Sequence, residues 1–337
     1  MNITIDPDSP VPKYKQIISI VTQAVKSGAL KRDDQLPSIN EMSESNYLAR
    51  DTVEKAYNEL KERGVIKSVR GKGYFVQSAS SSKIRVLLLI NKMSSYKKIV
   101  YYSFLKALGD SAVVDVYIHH HNALLFKEIM EESRGKYTYY VIMPHFYEET
   151  DKIDVKQILQ EIPENKLVLL DRDYPDLPGE YLAIYQDFEK DIFRVLEGAE
   201  DLLEKYDELV LVFNVDGNYP LEILRGFRSY CISYKKEFRI INSTQEEVVS
   251  KGVAYIVLED TYLADLIKGV RMSKLQLGED VGVISYNETT LKEVLAEGIT
   301  VITTDFETMG NTAAALLLDG KRIKVKNPFT MIRRKSL

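Results

Sequence analysis

Residues 63–76, RGVIKSVRGKGYFV, contain two short apolar runs separated by Arg70-Gly71-Lys72-Gly73. Alternation of apolar and polar residues is typical of half-buried strands, and a short glycine-containing interruption predicts a hairpin. Glycine permits positive φ in the turn, and because it has no Cβ it lets backbone amides approach an anion closely. An isolated turn of this kind is more often a plain solvated loop. The neighbouring sequence therefore decides its meaning.

Three helical patterns precede the hairpin. The first begins at Pro12 and stops at Gly28. In LPSINEM, Ser38 and Glu41 have the spacing of a capping box, which predicts a short second helix starting near Ile39. The third ends at Gly64, and its buried stripe is predicted at Val53, Ala56, Tyr57 and Leu60. Two successive helices followed by a two-stranded hairpin predict a winged helix with Arg70 and Lys72 at the tip of the wing.

Residues 36–76, LPSINEMSESNYLARDTVEKAYNELKERGVIKSVRGKGYFV, resemble the DNA-binding domain of GntR-type regulators, most clearly in KAYNEL. Asn40 stands where that family commonly has Arg, and Ala49 where it commonly has Ser, so one DNA contact and one helix cap differ from the family pattern. The resemblance implies contacts to operator DNA from Ser38, Asn40, Arg50, Asp51, Thr52, Lys55, Arg70, Gly71, Lys72 and Gly73.

The charge distribution restricts where nucleic acid can bind. The 337-residue chain carries a formal charge of −5, but residues 1–77 hold 12 Lys and Arg against 10 Asp and Glu, so this part is near +2 and the remainder near −7. Because attraction to nucleic acid scales with the phosphates that basic residues neutralise, we expect a local contact. A single cysteine, Cys231, and the lack of a signal-peptide or bilayer-spanning pattern favour a cytoplasmic protein with no membrane partner.

A short serine-rich segment, QSASSSK at residues 77–83, predicts the boundary between two parts. We expect a winged helix-turn-helix domain at 1–77, a linker at 78–83, and an effector-binding and dimerisation domain at 84–337. Within the last, lobe 1 is expected at about 84–187 plus 304–337, and lobe 2 at about 188–303.

The second part alternates apolar runs with helical patterns. The runs, in chain order, are IRVLLLIN, VVDVYIH, YYVIM, LVLLD, LVLVF, AYIVL, VGVIS and TVITT. Because parallel strands need crossovers of a dozen or more residues, this spacing predicts an α/β fold with parallel sheets covered by helices. About 250 residues with so many strands favour two lobes.

The predicted strand ends are rich in amide, carboxylate and aromatic side chains, for example NKMSSY, PHFY, DRDY, YQD and NVDGNY. Ligands of parallel sheets bind beyond the carboxyl ends of the strands. A sugar needs planar polar groups for its hydroxyls and a flat ring for its apolar face. Polar residues at these positions are also simply typical of solvated loops. As candidates from these segments we take Lys92, Tyr96, Asp173 and Tyr219.

Residues 279–320 resemble LacI-type regulators, whose effector domain is similar to periplasmic sugar-binding proteins, and FTMIRRKSL resembles their closing strand. One departure concerns Ile223, which stands where the family usually has Arg, while Arg225 lies next to Gly226 and would point in a different direction. The resemblance implies effector contacts at Asp187, Glu259, Asp260, Asn287 and Thr304, with Arg225 as a substitute for the family arginine.

Other kinds of site have weaker support. His119, His120 and His121 are adjacent, and neighbours on a strand alternate faces, so a metal site is not expected. Adjacent carboxylates such as Glu259 and Asp260 lack the separation that glycoside hydrolysis needs. We expect neither catalytic residues nor a cofactor.

The sequence thus predicts a winged helix joined to a periplasmic-binding-protein-like α/β sensor, acting as a homodimeric repressor of operator DNA controlled by a small, neutral monosaccharide. The few Lys and Arg residues at strand ends favour a neutral ligand, since phosphate recognition usually recruits them. Two alternatives stay open: a GntR-type fusion to an aminotransferase-like enzyme, and a second domain that serves only for dimerisation.

Overall fold

Two units make up the chain in this computed structural model, Met1–Ile84 and Arg85–Leu337. The structure describes residues 5, 6, 9, 11–77, 83–146, 153–215, 217, 219–245 and 247–337. The predicted linker, 78–83, lies outside the described residues except for its last position.

The first unit contains three helices and a small antiparallel sheet. Its sheet has the strand order β1-β3-β2, with β3 paired to both neighbours. The elements are α1 (Lys13–Lys26), β1 (Gln35–Leu36), α2 (Ile39–Ser45), α3 (Arg50–Glu62), β2 (Ile66–Val69) and β3 (Gly73–Val76). The winged helix-turn-helix fold expected from the sequence is confirmed.

Local sequence signals define these elements. Ser38 and Glu41 form the complete capping box at the start of α2. The predicted stripe of α3 is fully buried, and the Tyr57 hydroxyl donates to the Pro37 carbonyl at 2.8 Å. Ala49 caps α3 without a side-chain hydrogen bond, as the departure from the family pattern implied.

Glycine is required at the wing. Gly71 and Gly73 have φ values of 75° and 101°, a region that L side chains rarely adopt. The two-residue strand β1, which the sequence pattern did not predict, lies beside the wing, where Gln35 Nε2 donates to the Lys72 carbonyl at 2.8 Å. The cationic tip is thereby tied to the body of the unit.

The turn between α2 and α3 places Tyr47 in the left-handed region, with φ 52°, and leaves its side chain 95% exposed. Because this conformation costs a non-glycine residue about 1–2 kcal/mol and the exposed ring contributes no packing, Tyr47→Gly should stabilise α2 and α3 by roughly 0.5–1 kcal/mol. Hydrogen exchange of peptides from these helices measures the change. Glu54→Gly, on the exposed side of α3, is the control and should lower protection by about 1 kcal/mol. Equal losses for both variants would contradict the strain at Tyr47.

The second unit contains two six-stranded sheets. The first has the order β14-β8-β7-β6-β4-β5, and the pairings from β14 to β4 are parallel. Its strands are β4 (Ile84–Ile90), β5 (Ala112–Ile118), β6 (Tyr139–Ile142), β7 (Leu167–Asp171), β8 (Leu182–Tyr185) and β14 (Lys324–Lys326). The helices of this lobe are α4 (Ser95–Leu108), α5 (Ala123–Ser133), α6 (Val155–Gln160) and α12 (Phe306–Leu318), with α12 packed on α4.

The second sheet has the order β10-β9-β11-β12-β13-β15 and is parallel except for its last pairing. Its strands are β9 (Glu208–Val212), β10 (Glu237–Ile241), β11 (Val253–Val257), β12 (Val281–Tyr286), β13 (Thr300–Thr304) and β15 (Phe329–Ile332). The helices that follow its strands or precede them are α7 (Phe188–Glu197), α8 (Glu200–Leu203), α9 (Leu221–Ser233), α10 (Asp260–Ser273) and α11 (Thr290–Val294). All eight predicted apolar runs contain strands, and the expected α/β architecture is confirmed.

One predicted boundary is wrong. We expected residues 304–337 in lobe 1, but β15 pairs with β13 in the second sheet, and the Ser336 hydroxyl donates to the Val283 carbonyl at 2.6 Å. The chain therefore crosses between the lobes three times: after β8, after β13 and after β14.

The three crossing segments are held together by Asn327. Its amide nitrogen donates to Thr304 Oγ1 and to the Asp305 carbonyl, both at 2.8 Å, and its backbone N–H donates to the Tyr185 carbonyl at 2.7 Å. A buried amide that serves all three segments restricts how the lobes can move relative to each other.

Candidate functional site

A cleft runs between the carboxyl ends of the two sheets. Its inner part has an empty volume of about 460 Å³, including the portion open to solvent. Strand-end residues of both sheets line it, as expected for parallel sheets: Asn91 and Lys92 after β4, His145 after β6, Asp171 at the end of β7, Gln186 after β8, and Tyr286 and Asn287 at the end of β12.

A buried carboxylate organises the floor of the cleft. Asp171 is 4% exposed and receives three side-chain hydrogen bonds. Lys97 Nζ donates to Oδ2, and His145 Nε2 donates to the same oxygen at 2.8 Å. Gln186 Nε2 donates to Oδ1 at 2.5 Å. The donors come from α4 and from the ends of β6 and β8, so one carboxylate connects three elements of the first lobe.

The electrostatics of this group keep it charged. Burial opposes ionisation of Asp171, but the Lys97 ammonium and the His145 bond outweigh it and hold the pKa of Asp171 well below its usual range. Burial also lowers the pKa of His145 and brings the pKa of His121 to about 4, so both imidazoles are neutral at pH 7. The floor is therefore a charged pair surrounded by neutral donors and acceptors.

Aromatic side chains form the walls. Tyr96 stacks on Phe306 with ring centroids 5.0 Å apart, and the Tyr219 hydroxyl donates to the Leu258 carbonyl at 2.7 Å. Burial raises the pKa of Tyr286 well above 10, so its hydroxyl keeps its proton. Flat rings beside polar groups suit a ligand with both apolar faces and hydroxyls.

The outer part of the cleft is wider, with about 960 Å³ of empty space including open solvent. Lys292, 3% exposed, supports it by donating to the carbonyls of Tyr286 and Asn287, both at 2.9 Å, and by pairing with Asp260 at 3.0 Å. These bonds hold Asn287 at a positive φ of 63°. Burial lowers the pKa of Lys292.

Six of the ten predicted effector residues meet at this cleft. Lys92, Tyr96, Tyr219 and Asn287 line both parts. The remaining two, Glu259 and Asp260, line the outer part.

The other four predicted residues have partners elsewhere. Asp173 pairs with Lys324 at 2.9 Å. Asp187 caps α7 and pairs with Lys190 at 3.0 Å. The Thr304 hydroxyl donates to the Pro328 carbonyl at 3.0 Å, among the crossing segments.

Arg225 does not take the place of the family arginine. It is exposed and pairs with Glu189 at 3.2 Å and with Glu222 at 3.5 Å, while Ile223 lines the inner cleft. Ile223 and Arg225 are two positions apart on α9, which turns one side chain by about 200° from the other, so the two point in nearly opposite directions.

Several lining residues were missed by the sequence reasoning. Asp171, His145 and Gln186 lie within segments that it had marked, LVLLD, PHFY and YQD, but the spacing did not tell which residue of each segment points inward. Lys97 belongs to α4, and nothing in its helical pattern distinguished it from a solvated lysine.

The first unit presents a second candidate surface. Ser38, Asn40, Arg50, Asp51 and Lys55 are exposed on or before α2 and α3, and Thr52 is half-buried. The Lys55 ammonium lies 4.3 Å from the centroid of the Tyr14 ring. At the wing, Arg70, Gly71 and Lys72 are exposed and Gly73 is half-buried. The exposed end of α3 and the wing are the two elements that a winged helix presents to DNA.

Two further features concern the described residues alone. Within them, no group of three His, Cys, Asp or Glu residues could hold a metal ion. No helix among them has the length and apolarity required to cross a membrane.

The buried pair in the cleft floor can be tested directly. Asp171→Asn leaves the Lys97 ammonium buried without its counterion, so we expect the free energy of unfolding of the second unit to fall by about 3–5 kcal/mol. The double variant Lys97→Met with Asp171→Leu removes both charges and should recover part of that loss, since His145 and Gln186 then lose their acceptor. Urea unfolding followed by circular dichroism measures both. A double variant as unstable as the single one would contradict the electrostatic explanation.

Comparison with known proteins identifies both parts. Residues 13–76 match the family described as bacterial regulatory proteins, gntR family, and residues 204–336 match the periplasmic binding protein-like domain. In sequence, the chain is 35% identical over 96 residues to the HTH-type transcriptional repressor YtrA of Bacillus subtilis (strain 168), covering 28% of this chain and 71% of that repressor. It spans only 31% of another curated relative, the HTH-type transcriptional repressor STM4068 of Salmonella typhimurium.

Solved structures share the fold at low identity. The trehalose repressor from Escherichia coli superposes with a TM-score of 0.60 at 14% identity, covering 74% of this chain and 100% of that one. A LacI family transcriptional regulator from Lactobacillus casei with bound glucose gives 0.59 at 12% identity, covering 75% and 99%. The chain belongs to the gntR family of bacterial regulatory proteins, and its second unit has the fold of LacI-type regulators.

Proposed function

We propose that this chain is a cytoplasmic, DNA-binding transcriptional repressor whose affinity for its operator is controlled by a neutral monosaccharide bound in the cleft. The observation that carries the proposal is the cleft itself: strand ends of two sheets supply amides, hydroxyls and rings around one space. Relatives of the first unit are named as repressors, and the Lactobacillus casei regulator contains glucose.

Charge balance in the cleft favours a neutral ligand. Among the described residues that line its two parts, three lysines (Lys92, Lys97 and Lys292) face three carboxylates (Asp171, Glu259 and Asp260). Two pairs, Lys97 with Asp171 and Lys292 with Asp260, are in direct contact. Lys92 and Glu259 contribute one opposite charge each, so the lining has no net charge to neutralise on a ligand.

The DNA-binding part of the proposal rests on the exposed cations of the first unit. Arg50 begins α3, and Arg70 and Lys72 are exposed at the wing. One small module makes few base contacts, so we propose a homodimer that places two modules on a palindromic operator and gains affinity through effective concentration.

Arg50→Ala and Lys72→Ala should each weaken binding to a duplex that the wild-type chain has selected from a random pool. Arg50 can reach base edges, so its loss should cost about 1–3 kcal/mol and relax sequence preference, whereas loss of Lys72 should act uniformly and reduce the salt slope by about 1. Gel-shift titration at several salt concentrations measures both. Lys136→Ala, an exposed lysine of the second unit, is the control for net charge. Unchanged affinity in both variants of the first unit would refute the DNA contact.

Sugar and operator, bound at separate sites, should each weaken the binding of the other. A thermal-shift screen of D-glucose, D-galactose, D-xylose and L-arabinose identifies the panel sugar that stabilises the chain most. We expect that sugar to lower operator affinity about 5- to 150-fold and, by reciprocity, the operator to lower sugar affinity by the same factor. Calorimetric titration with and without the selected duplex measures the coupling.

Other outcomes of these measurements have defined meanings. Tighter sugar binding on DNA would indicate a corepressor, and equal affinities would mean that the two sites are uncoupled. No stabilisation by any panel sugar would contradict the monosaccharide proposal and favour a second unit that only dimerises. An absorbance band of bound pyridoxal phosphate would instead support the enzyme alternative.

A further inference from the structure

We infer that Gln186, together with Asn91, determines which ligands the cleft accepts: their amide oxygens accept hydrogen bonds from ligand hydroxyl groups and exclude anionic groups from the inner cleft. This inference rests on the proposed function and assigns residues that were not among the candidate effector residues chosen from the sequence. It also defines the ligand class by hydrogen-bond direction rather than by charge alone.

The orientation of the Gln186 amide follows from its partner. A carboxylate only accepts hydrogen bonds, so the side-chain nitrogen of Gln186 must face Asp171 Oδ1, at 2.5 Å. The Asp171 carboxylate is itself held by Lys97 and His145. Gln186 Oε1 therefore lies on the other side of the amide. Gln186 is 7% exposed and lines the inner cleft, and Oε1 has no hydrogen-bond partner among the described residues.

A second acceptor belongs to Asn91, another buried residue that lines the inner cleft. Asn91 is 4% exposed, and its Nδ2 donates to His121 Nε2 at 3.2 Å. Its Oδ1 likewise has no hydrogen-bond partner within the described part of the chain. The hydroxyl of Tyr286, which lines the cleft from the other lobe, is a third buried polar group without a hydrogen-bond partner among the described residues.

Leaving such groups unpaired is costly, since a buried polar atom without a hydrogen bond destabilises a protein by about 1–3 kcal/mol. A ligand that donates hydroxyls to the two amide oxygens removes that cost, and one that also meets Tyr286 contacts both lobes. Phosphate and carboxylate groups at pH 7 offer almost only acceptor oxygens, which would oppose the amide oxygens. Half-buried Lys92 is the group in the cleft that favours an anion, so the two ligand classes can be distinguished.

The test uses the full chain and the panel sugar that stabilises it most, with its monodeoxy derivatives and its terminal phosphate ester. Calorimetry should show at least one deoxy derivative binding wild type about tenfold more weakly than the parent sugar, and the phosphate ester no more tightly than the parent. Gln186→Met or Asn91→Leu should each bind the parent sugar about tenfold more weakly than wild type does. A deoxy derivative that wild type binds tenfold more weakly than the parent should bind to the variant less than about threefold more weakly than the parent. Asp187→Asn, which alters the α7 cap beside Gln186, is the matched control and should bind as wild type does.

Each result decides the matter. Binding of the parent sugar with an unchanged deoxy profile in both variants, or tighter binding of the phosphate ester to wild type, would overturn the inference while leaving sugar binding intact. If no panel sugar binds wild type, the proposed function fails, and the inference fails with it. Should Gln186→Met not fold, the deoxy and phosphate measurements on wild type and Asn91→Leu give the same decision.

Discussion

The carboxylate of Asp171, buried at the end of β7, is the constraint on which the cleft depends. An isolated charge in this position would be strongly unfavourable, and it is stable only because Lys97, His145 and Gln186 donate to it from three different elements. Each donor is thereby fixed in direction. The same bonds that satisfy the carboxylate position the Gln186 amide oxygen and hold α4 against the sheet, so the local electrostatics determine the shape of the candidate binding surface.

A second constraint is the triple crossing between the lobes. Asn327 belongs to the crossing segment after β14 and hydrogen bonds to the other two, at the ends of β8 and β13. Such short, mutually bonded connections allow two lobes to rotate about a common hinge while each keeps its own core. A ligand that contacts Gln186 on one side and Tyr286 on the other would stabilise one lobe arrangement over others, which is the differential interaction that any control of DNA binding requires.

Much of this architecture was predictable because the decisive signals are local. The capping box at Ser38, the buried stripe of α3 and the apolar runs of the parallel strands each depend on a few neighbouring residues. LAIY of β8 and EFRII of β10 were not among the predicted apolar runs, because the first is short and the second is half-polar, so neither gives the continuous apolar run of a central strand. The position of β15 could not follow from its sequence, since pairing with β13 is a long-range choice.

The site was harder to predict than the fold for a related reason. Gln186 and Asp187 follow each other at the end of β8, and an assignment that is wrong by one position exchanges their roles. In the structure Gln186 lines the cleft and Asp187 caps α7. Thr304 was likewise placed in the ligand site, although it belongs to the hydrogen bonds of the crossing segments. The direction in which a side chain points at a strand end depends on tertiary partners such as Asp171, and the periodicity of the sequence does not reveal those partners.

The most direct measurement of this account is a crystal structure of the full chain with the panel sugar that stabilises it most. The account predicts the sugar between the two sheets, with hydroxyl groups within hydrogen-bond distance of Gln186 Oε1 and Asn91 Oδ1, and with Asp187 still capping α7. A sugar bound outside the cleft, or one held by Asp187 while Gln186 Oε1 stays without a partner, would contradict it.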